Sequence, residues 1–289
     1  MDAKMPQDAT ANNNEQIAYW NAVAGLTWAE LQSVLDRQID PLGREAQRAL
    51  AARDGERILD VGCGCGQTSL ELAAQVGRSG AVVAVDVSRP MLEVARARQR
   101  ASAALPLEFR EVDAQSEAFV AGSFDAAYSR FGVMFFADPI AAFANIRHAL
   151  KPGGRLCFVC WRPLADNQWM RVPLDAAHPY LPAVAPPDPH APGPFAFADA
   201  TRVRGILVAA GFVDVRIDPW EAEIGGTDLE DAVKLACRIG PLGAAMRERP
   251  DLMPVIGGAV REALARHLRP TGVWMAAAVW IVRALSGVS

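Results

Sequence analysis

Long basic runs are missing from this sequence of 289 residues, whose formal net charge is −4 at pH 7. Nucleic-acid-binding proteins usually carry a basic stripe or patch, so the sequence disfavours that class. Long apolar runs are missing too, since the longest, Val273 to Val282, has about half the length that a membrane-spanning helix needs. The N-terminal segment MDAKMPQDATANNNEQ is polar and lacks the apolar core of a signal peptide. We therefore expect a soluble, cytoplasmic protein without a membrane span.

Cysteine is also scarce, and its spacing does not favour a metal site. Cys157 and Cys160 lie three residues apart on a predicted strand, so their side chains face opposite sides of it. We expect small buried thiols in a reducing compartment, and no metal. The five cysteines are Cys63, Cys65, Cys157, Cys160 and Cys237.

A glycine-rich turn is the most informative feature that is present. Residues 58 to 68 read ILDVGCGCGQT, in which a buried strand runs into Gly62, Gly64 and Gly66 before a helix begins. Glycine at every second position removes side chains along the turn, so a cofactor can lie against backbone amides at a helix N-terminus. Dinucleotide-binding turns follow G-x-G-x-x-G, whereas this chain has Gln67 at the last glycine of that pattern. A tight turn without any ligand is the alternative.

Acidic residues stand at the ends of the next two predicted strands. Asp86 is near the end of the strand Ala81 to Val87, where a carboxylate can accept hydrogen bonds from both hydroxyls of a ribose. NAD enzymes share this feature, so it does not discriminate between cofactors. Asp113 follows the strand Leu107 to Val112, and read alone it is equally well a turn or cap residue.

Two further predicted strands, Phe124 to Ser129 and Arg155 to Trp161, flank a helix. Asp138 caps this helix, Pro139 opens it, and the sequence LKPGG ends it. Strands and helices thus alternate from residue 57 to residue 161. This alternation predicts a parallel sheet with helices on both faces.

The segment from Ile58 to Trp161 resembles the class I S-adenosylmethionine-dependent methyltransferases, and most closely the small-molecule group typified by ubiquinone and menaquinone C-methyltransferases. The resemblance is carried by the spacing of Asp60 and the three glycines, by Asp113-Ala114 and by LKPGG before a strand. It implies an α/β fold with a doubly wound, Rossmann-like, seven-stranded, mostly parallel sheet, an antiparallel last strand, and a helical and loop substrate cap. Val273 to Ala284 is the expected last strand, inserted beside the fifth.

The resemblance also implies S-adenosyl-L-methionine as the cofactor and a set of residues that bind it. It places Asp60 near the ammonium group of the cofactor, Asp86 at the ribose and Asp113 at the adenine. The predicted cofactor-binding residues are Trp20, Asp60, Gly62, Gly64, Gly66, Gln67, Asp86, Val87, Asp113, Ala114 and Ser129.

The rest of the sequence predicts additions to this domain. Residues 1–14 are expected to be disordered, and residues 15–50 to form helices that cover the cofactor. Residues 51–289 would form the methyltransferase domain, with substrate-cap inserts at 162–200 and 225–270. The first insert holds eight prolines between residues 173 and 194, which is typical of a long, stiff loop. A capping-box pattern from Thr227 to Glu230 predicts a helix in the second insert.

The predicted reaction moves a methyl group to an O, N or C atom of a small-molecule acceptor by in-line displacement, which depends mainly on positioning. A neutral hydroxyl or carbon acid would also need a base. His178, in the first insert, is the predicted base, although a surface-loop histidine is the plainer interpretation. Arg130, directly after the fourth strand, either clamps an acidic group of the acceptor or forms a structural salt bridge.

Other functions stay open on the sequence. An NAD-dependent oxidoreductase would share Asp86, although Gln67 and Asp113-Ala114 argue against it. A catalytically inactive cofactor-binding protein would keep the same turn. A methyltransferase of nucleic-acid bases would carry an N/D-P-P-Y/F motif after the fourth strand, where this chain reads SRFGVMFFADP. The sequence predicts no oligomeric state.

Overall fold

A mixed β-sheet organises the protein, which a computed structural model describes over residues 7–102, 105–182 and 188–287. Across this sheet the strand order is β3-β2-β1-β4-β5-β8-β6, and the short β7 pairs with β8. In chain order the strands are β1 (Arg57–Val61), β2 (Ala81–Asp86), β3 (Leu107–Glu111), β4 (Phe124–Arg130), β5 (Leu150–Trp161), β6 (Phe212–Thr227), β7 (Leu268–Arg269) and β8 (Gly272–Ser286).

Strand direction confirms the predicted fold class. The pairs that join β3, β2, β1, β4 and β5 are all parallel. The last strand, β8, runs antiparallel to both β5 and β6, and lies between them. The order of the first strands reverses between β1 and β4, and this reversal creates the crevice where ligands of open α/β sheets bind.

Helices cover both faces of the sheet. On β5, Cys157 points towards α3, where its Sγ donates to the Ala46 carbonyl at 3.2 Å. The next residue, Phe158, packs on Phe143 of α6 with ring centroids 5.4 Å apart. Adjacent strand residues face opposite sides, so α3 and α6 lie on opposite faces. In chain order the helices are α1 (Gln7–Asn21), α2 (Val23–Glu30), α3 (Gln32–Leu50), α4 (Gln67–Val76), α5 (Arg89–Ala101), α6 (Pro139–Ala149), α7 (Gln168–Ala177), α8 (Ala200–Ala209), α9 (Leu229–Ala236), α10 (Gly240–Glu248) and α11 (Met253–Ala265).

The N-terminal segment differs from its prediction. Residues 7–14, expected to be disordered, lie in α1, whereas residues 1–6 fall outside the described residues. The Asn13 side chain donates to Asp113 Oδ2 at 2.8 Å, so a contact with the sheet edge holds this polar segment. The sequence did not reveal this contact because it spans 100 residues.

Two details of the second half also differ. Strand β6 continues to Thr227, into the segment predicted as the second insert, because β8 pairs with it along this whole length. Thr227 is therefore a buried strand residue, and Asp228 caps α9 instead, accepting from the Asp231 amide at 2.9 Å. The capping-box prediction is wrong by one residue.

The first insert contains a helix where the sequence predicted a long loop. Asn167, which is fully buried, fixes the start of α7 by exchanging two hydrogen bonds with the backbone of Ala278 in β8, at 3.0 and 3.1 Å. Residues 183–187 of this proline-rich insert lie outside the described residues. Within the described ranges, each helix is too short or too polar to cross a lipid bilayer.

Candidate cofactor and acceptor cavity

A cavity of about 280 Å³ opens at the carboxyl ends of the parallel strands. Each of the first five strands contributes to its wall with residues at or just beyond its end. These residues include Gly62 after β1, Asp86 and Val87 at β2, Asp113 and Ala114 after β3, Arg130 to Gly132 at β4, and Trp161 of β5. The cavity is therefore located where the strand order predicts a ligand.

Helices close the other sides of the cavity. Among them, α1 and α2 contribute Trp20 and Trp28, and α3 contributes Leu35. Trp169 comes from α7 and Arg247 from α10. Trp20 packs edge-on against Phe135 with ring centroids 4.9 Å apart, and its carbonyl accepts from Ser88 Oγ at 2.7 Å. The predicted cofactor residue Trp20 thus both lines the cavity and docks α1.

The turn needs glycine because neighbouring residues leave no room for a side chain there. Gly62 has φ +67°, and a Cβ there would lie 2.7 Å from Gly132 Cα, so the turn and the segment after β4 touch directly. Gly66, also left-handed at φ +79°, precedes α4, and a Cβ there would meet the Phe109 ring at 2.8 Å. Gly62 lines the cavity, whereas Gly64 and Gly66 are buried behind it and shape the turn.

Asp60 does not line the cavity. It is completely buried, and its Oδ2 accepts from the hydroxyls of Ser69 at 2.6 Å and Thr68 at 3.1 Å, which ties β1 to the first turn of α4. Burial raises the pKa of this carboxyl to about 6, because desolvation outweighs the two hydroxyl hydrogen bonds. Its Oδ1 is buried and has no partner among the described residues.

Asp86, the predicted ribose-binding residue, lies in the cavity wall. Its Oδ2 accepts from the Gly64 amide at 2.7 Å and its Oδ1 from the Ser88 amide at 2.8 Å. The carboxylate therefore holds the glycine turn in place as well as facing the cavity. Burial raises its pKa above the ordinary value, although the hydrogen bonds from backbone amides oppose this shift.

The third strand ends at a second carboxylate. Asp113 accepts from the Gln115 amide at 2.9 Å and from Ser116 Oγ at 2.7 Å, in addition to Asn13. The turn interpretation of Asp113 is thus correct, and the residue also lines the cavity together with Ala114 and Val87. Val87 and Ala114 give the wall an apolar surface beside the Asp113 carboxylate. Such a surface suits an adenine ring.

Gln67 and Arg130 form a polar network at one wall. Arg130 Nη1 donates to Gln67 Oε1 at 2.7 Å, and Arg130 Nη2 lies 3.3 Å from Asp36 Oδ1. Gln67 in turn donates to Asp40 Oδ1 at 2.8 Å. Gln67 itself does not line the cavity, whereas Arg130 does. The salt-bridge interpretation of Arg130 is therefore the one that the contacts match.

Ser129 is also behind the wall. It is buried, and its Oγ accepts from the Gly132 amide at 3.2 Å, which fixes the bend after β4. Ser129 does not line the cavity, so it affects the shape of the cavity only through this bend.

The predicted base does not reach the cavity. His178 is exposed on a single turn of 3₁₀-helix that follows α7, and it is absent from the cavity wall. The prediction therefore lacks the contact that a general base needs, and we withdraw it. The chain's other histidines, His148, His190 and His267, do not line the cavity either.

Aromatic residues line the cavity beyond β4, at the end of β5 and in α7. Phe131 stacks on Trp161 with ring centroids 4.1 Å apart and planes 9° apart, and Trp161 contacts Trp169 at 5.2 Å. Phe131 adopts φ +61°, an uncommon value for a residue with a side chain, so the bend after β4 holds this ring under strain. The only signal in the sequence was the density of aromatic residues at each strand end.

The residues present fit S-adenosylmethionine. The zwitterionic end of that molecule needs a backbone turn without side chains, and Gly62 provides one in the cavity wall. Asp60, two residues earlier in the chain, has a buried Oδ1 without a partner among the described residues. A ribose needs the paired oxygens of a carboxylate such as Asp86, and an adenine needs the apolar edge at Ala114. Within the described ranges, no three His, Cys, Asp or Glu residues are grouped as metal ligands.

Comparison with known proteins identifies the class. Residues 58–154 match the family described as "Methyltransferase domain". The matched segment runs from β1 to the turn within β5, and so contains the glycine turn, Asp86 and Asp113. With the sheet order and the cavity described above, this match identifies residues 58–154 as a class I S-adenosylmethionine-dependent methyltransferase domain.

Individual relatives are similar over part of the chain. Nocamycin O-methyltransferase of Saccharothrix syringae is 32% identical over 192 residues, which cover 61% of this chain and 66% of that protein. Demethylmenaquinone methyltransferase of Lactococcus lactis is 32% identical over 146 residues, 50% of this chain and 52% of that protein. The chain thus matches about half to two thirds of the length of these curated relatives.

The crystal structure of the YcgJ protein from Bacillus subtilis is similar in fold, with a TM-score of 0.57 at 18% identity. The similarity covers 86% of this chain and 99% of that one. It confirms the Rossmann-like architecture.

Proposed function

We propose that this protein is an enzyme that transfers a methyl group from S-adenosylmethionine to an oxygen, nitrogen or carbon atom of a small molecule. The observation that supports this most is the placement of Gly62, Asp86 and Asp113 on one cavity at the strand ends. A turn without side chains and two carboxylates in succession are what the amino-acid, ribose and adenine parts of that cofactor require.

These contacts support the following residue roles. Asp86 accepts the ribose hydroxyls, Asp113 and Ala114 border the adenine with Val87, and Asp60 acts from behind the turn on the ammonium group. Gly64, Gly66, Gln67 and Ser129 shape the wall without touching the cofactor, because they do not line the cavity. Helices α1 and α2 cover the cofactor with Trp20, and α7 and α10 of the two inserts form the substrate cap.

Catalysis by this protein rests on positioning. The bound cofactor supplies a methyl group that is already activated by the positive charge on sulfur. The chain has to hold an acceptor atom in line with that methyl group and to exclude water, which can contribute about 7–11 kcal/mol. The aromatic residues Phe131, Trp161 and Trp169 line the cavity and are suited to both tasks.

The acceptor class is a small molecule. Two relatives carry names of small-molecule methyltransferases, one acting on oxygen and one on a demethylmenaquinone. The net charge of −4 disfavours a nucleic-acid substrate. All five cysteines are buried as free thiols, which agrees with a reducing cytoplasm.

Calorimetric titration with S-adenosylhomocysteine and, separately, with NADH tests the proposal. We expect saturable binding of S-adenosylhomocysteine and none of NADH. The reverse result would favour the NAD-dependent oxidoreductase, and no heat from S-adenosylhomocysteine at millimolar concentration would contradict the proposal. Binding without turnover of any acceptor in a panel of phenols, quinols, amines and acids would indicate an inactive cofactor-binding protein.

A further inference from the structure

The carboxylates of the cavity wall belong to the part that the proposed function assigns to the cofactor. Among the described residues, the charged side chains that line the cavity are Asp86, Asp113, Arg130, Arg238 and Arg247. The two carboxylates stand at the ends of β2 and β3, where the ribose and adenine are placed. The rest of the wall therefore presents cations alone, and a wall of one charge sign attracts a ligand of the opposite sign.

Two of the three arginines already have carboxylate partners. Arg130 lies 3.3 Å from Asp36, and Arg238 donates to both carboxylate oxygens of Glu30, at 2.7 and 2.5 Å. Arg247 differs from them, because its hydrogen bonds within the described ranges are to a hydroxyl and to a backbone carbonyl. Arg247 is therefore the arginine of the wall that a bound anion can pair with.

Arg247 and Tyr19 form a pair of donors at the opening of the cavity. Arg247 Nη2 donates to the Tyr19 hydroxyl at 3.1 Å and Nη1 to the Arg238 carbonyl at 3.4 Å, which leaves further N–H groups of the guanidinium unused. The Tyr19 hydroxyl accepts the first of these bonds, and its own proton has no acceptor among the described residues. Both side chains are exposed and also line the cavity, so they lie at its mouth.

Contacts with aromatic rings hold this pair in place. The guanidinium carbon of Arg247 lies 5.8 Å from the centre of the Tyr19 ring, within the range of a cation–π contact. The Tyr19 ring packs edge-on against Trp20 with centroids 5.5 Å apart. Arg247 in α10 and Tyr19 in α1 thus meet across the mouth, and donors held in this way lose little freedom when a ligand binds.

Much of the remaining wall is apolar. Half-buried apolar side chains from the N-terminal helices, from the segment after β4 and from the start of α10 line the cavity, among them Trp20, Trp28, Phe135, Phe136 and Ile239. Such a wall binds a hydrocarbon or aromatic body by removing it from water. It does not suit an unpaired charge, so a bound anion is stable only beside an available cation.

On the basis of the proposed function, we propose that the methyl acceptor is an amphipathic carboxylic acid. Its carboxylate accepts hydrogen bonds from Arg247 and Tyr19 at the mouth, and its apolar body lies against the apolar wall. The ion pair fixes one end of the acceptor and thereby orients the atom that receives the methyl group. Arg247 is thus a residue that determines which acceptors bind.

Calorimetric titration of the enzyme loaded with S-adenosylhomocysteine tests the acceptor class. The probes are two matched pairs, octanoate with octanamide and 2-naphthoate with 2-naphthamide, whose members agree in size and differ in charge. We expect the wild type to bind at least one carboxylate tenfold or more tightly than its amide, as for a charge-assisted hydrogen bond. Equal affinities within both pairs, or no carboxylate binding at millimolar concentration, would overturn the proposal.

Two substitutions test the anchor itself. Arg247→Gln removes the positive charge and should weaken binding of the preferred carboxylate about tenfold, while its amide binds as before. Tyr19→Phe keeps the ring and removes the hydroxyl, so it should weaken carboxylate binding severalfold. A carboxylate preference that survives in Arg247→Gln would show that another group holds the anion.

Arg204→Gln is the matched control for the loss of one positive charge. Arg204 is exposed on α8, donates to the Val215 carbonyl at 2.6 Å and does not line the cavity. This substitution should change neither affinity. A loss of carboxylate binding as large as in Arg247→Gln would mean that net charge, and not an anchor, attracts the acid.

The affinity for S-adenosylhomocysteine separates this inference from the proposed function. A wild-type protein that does not bind S-adenosylhomocysteine would contradict the methyltransferase proposal itself. A protein that binds it and does not distinguish acids from amides would contradict the anchor alone. If Arg247→Gln loses affinity for S-adenosylhomocysteine and keeps the carboxylate preference, Arg247 serves the cofactor and the proposal is wrong.

Discussion

Arg130 and Asp36 form an ion pair, with Nη2 3.3 Å from Oδ1, that joins the end of β4 to helix α3 at the cavity wall. Both side chains are largely buried, at 11% and 14% exposure. Arg98 is the second partner of Asp36, at 2.9 Å, and links the same carboxylate to α5. The wall of the cavity is thus braced by a charge cluster that connects three elements distant in sequence.

Replacement of Arg130 by alanine should lower the free energy of unfolding by about 3 kcal/mol, because it leaves a buried carboxylate with one cation fewer. Thermal and urea unfolding measure this change. Arg89→Ala is the matched control, since Arg89 pairs with Glu111 on the surface at 67% and 34% exposure. That exposed pair should be worth under about 1 kcal/mol. An Arg130→Ala protein as stable as the wild type would contradict the structural role.

Asp86→Asn should weaken S-adenosylhomocysteine binding tenfold or more, about 1.4 kcal/mol, because one of the two ribose acceptors becomes a donor. Calorimetric titration measures the dissociation constant. Asp125→Asn is the control, since Asp125 also accepts from a backbone amide, that of Arg57 at 2.9 Å, but does not line the cavity. Unchanged affinity in Asp86→Asn would show that Asp86 only holds the turn.

Gly62→Ala should destabilise the fold and impair cofactor binding together. The added Cβ would lie 2.7 Å from Gly132 Cα, and the residue would keep a φ of +67°. Gly205→Ala, within α8, is the control because an added Cβ there meets nothing within 4 Å. We expect it to stabilise the helix by about 0.5–1 kcal/mol. Circular dichroism melting curves compare the two, and equal stabilities would refute the close contact.

The stability of the protein should depend on pH through Asp60. Burial raises the pKa of this group from 3.8 to about 6, so the folded state binds the proton more tightly than the unfolded state does. The resulting stabilisation is complete below about pH 4 and is lost as pH rises through 6, a change of about 3 kcal/mol. Asp60→Asn cannot titrate, so the wild type should lose stability relative to this variant between pH 4 and pH 7.

Urea unfolding at intervals of pH measures this difference. Asp86, whose pKa is also raised, is present in both proteins, so its contribution cancels in the comparison. A difference between wild type and Asp60→Asn that stays constant over this range would mean that the buried carboxyl has an ordinary pKa.

Local patterns were enough to predict the core of the fold. The helix that begins at Pro139 has the cap predicted for Asp138, which accepts from the Ala141 amide at 3.0 Å. The position of β8 beside β5 was predicted through family resemblance, not through local pattern. The extent of β6 was not predictable, because Gly225 and Gly226 interrupt its last residues, which join the strand through their pairing with β8.

By itself, the sequence determined the glycine turn, the alternation of strands and helices, and the acidic residues that follow the strands. Each of these depends on backbone conformation or on hydrophobic periodicity within a few residues. Only the tertiary structure decided which side chains face the cavity. Arg130 and Trp169 line it, whereas Gln67 and His178 do not. These outcomes depend on contacts between segments far apart in the chain, such as that of Asn167 with Ala278. Local sequence patterns do not predict such contacts.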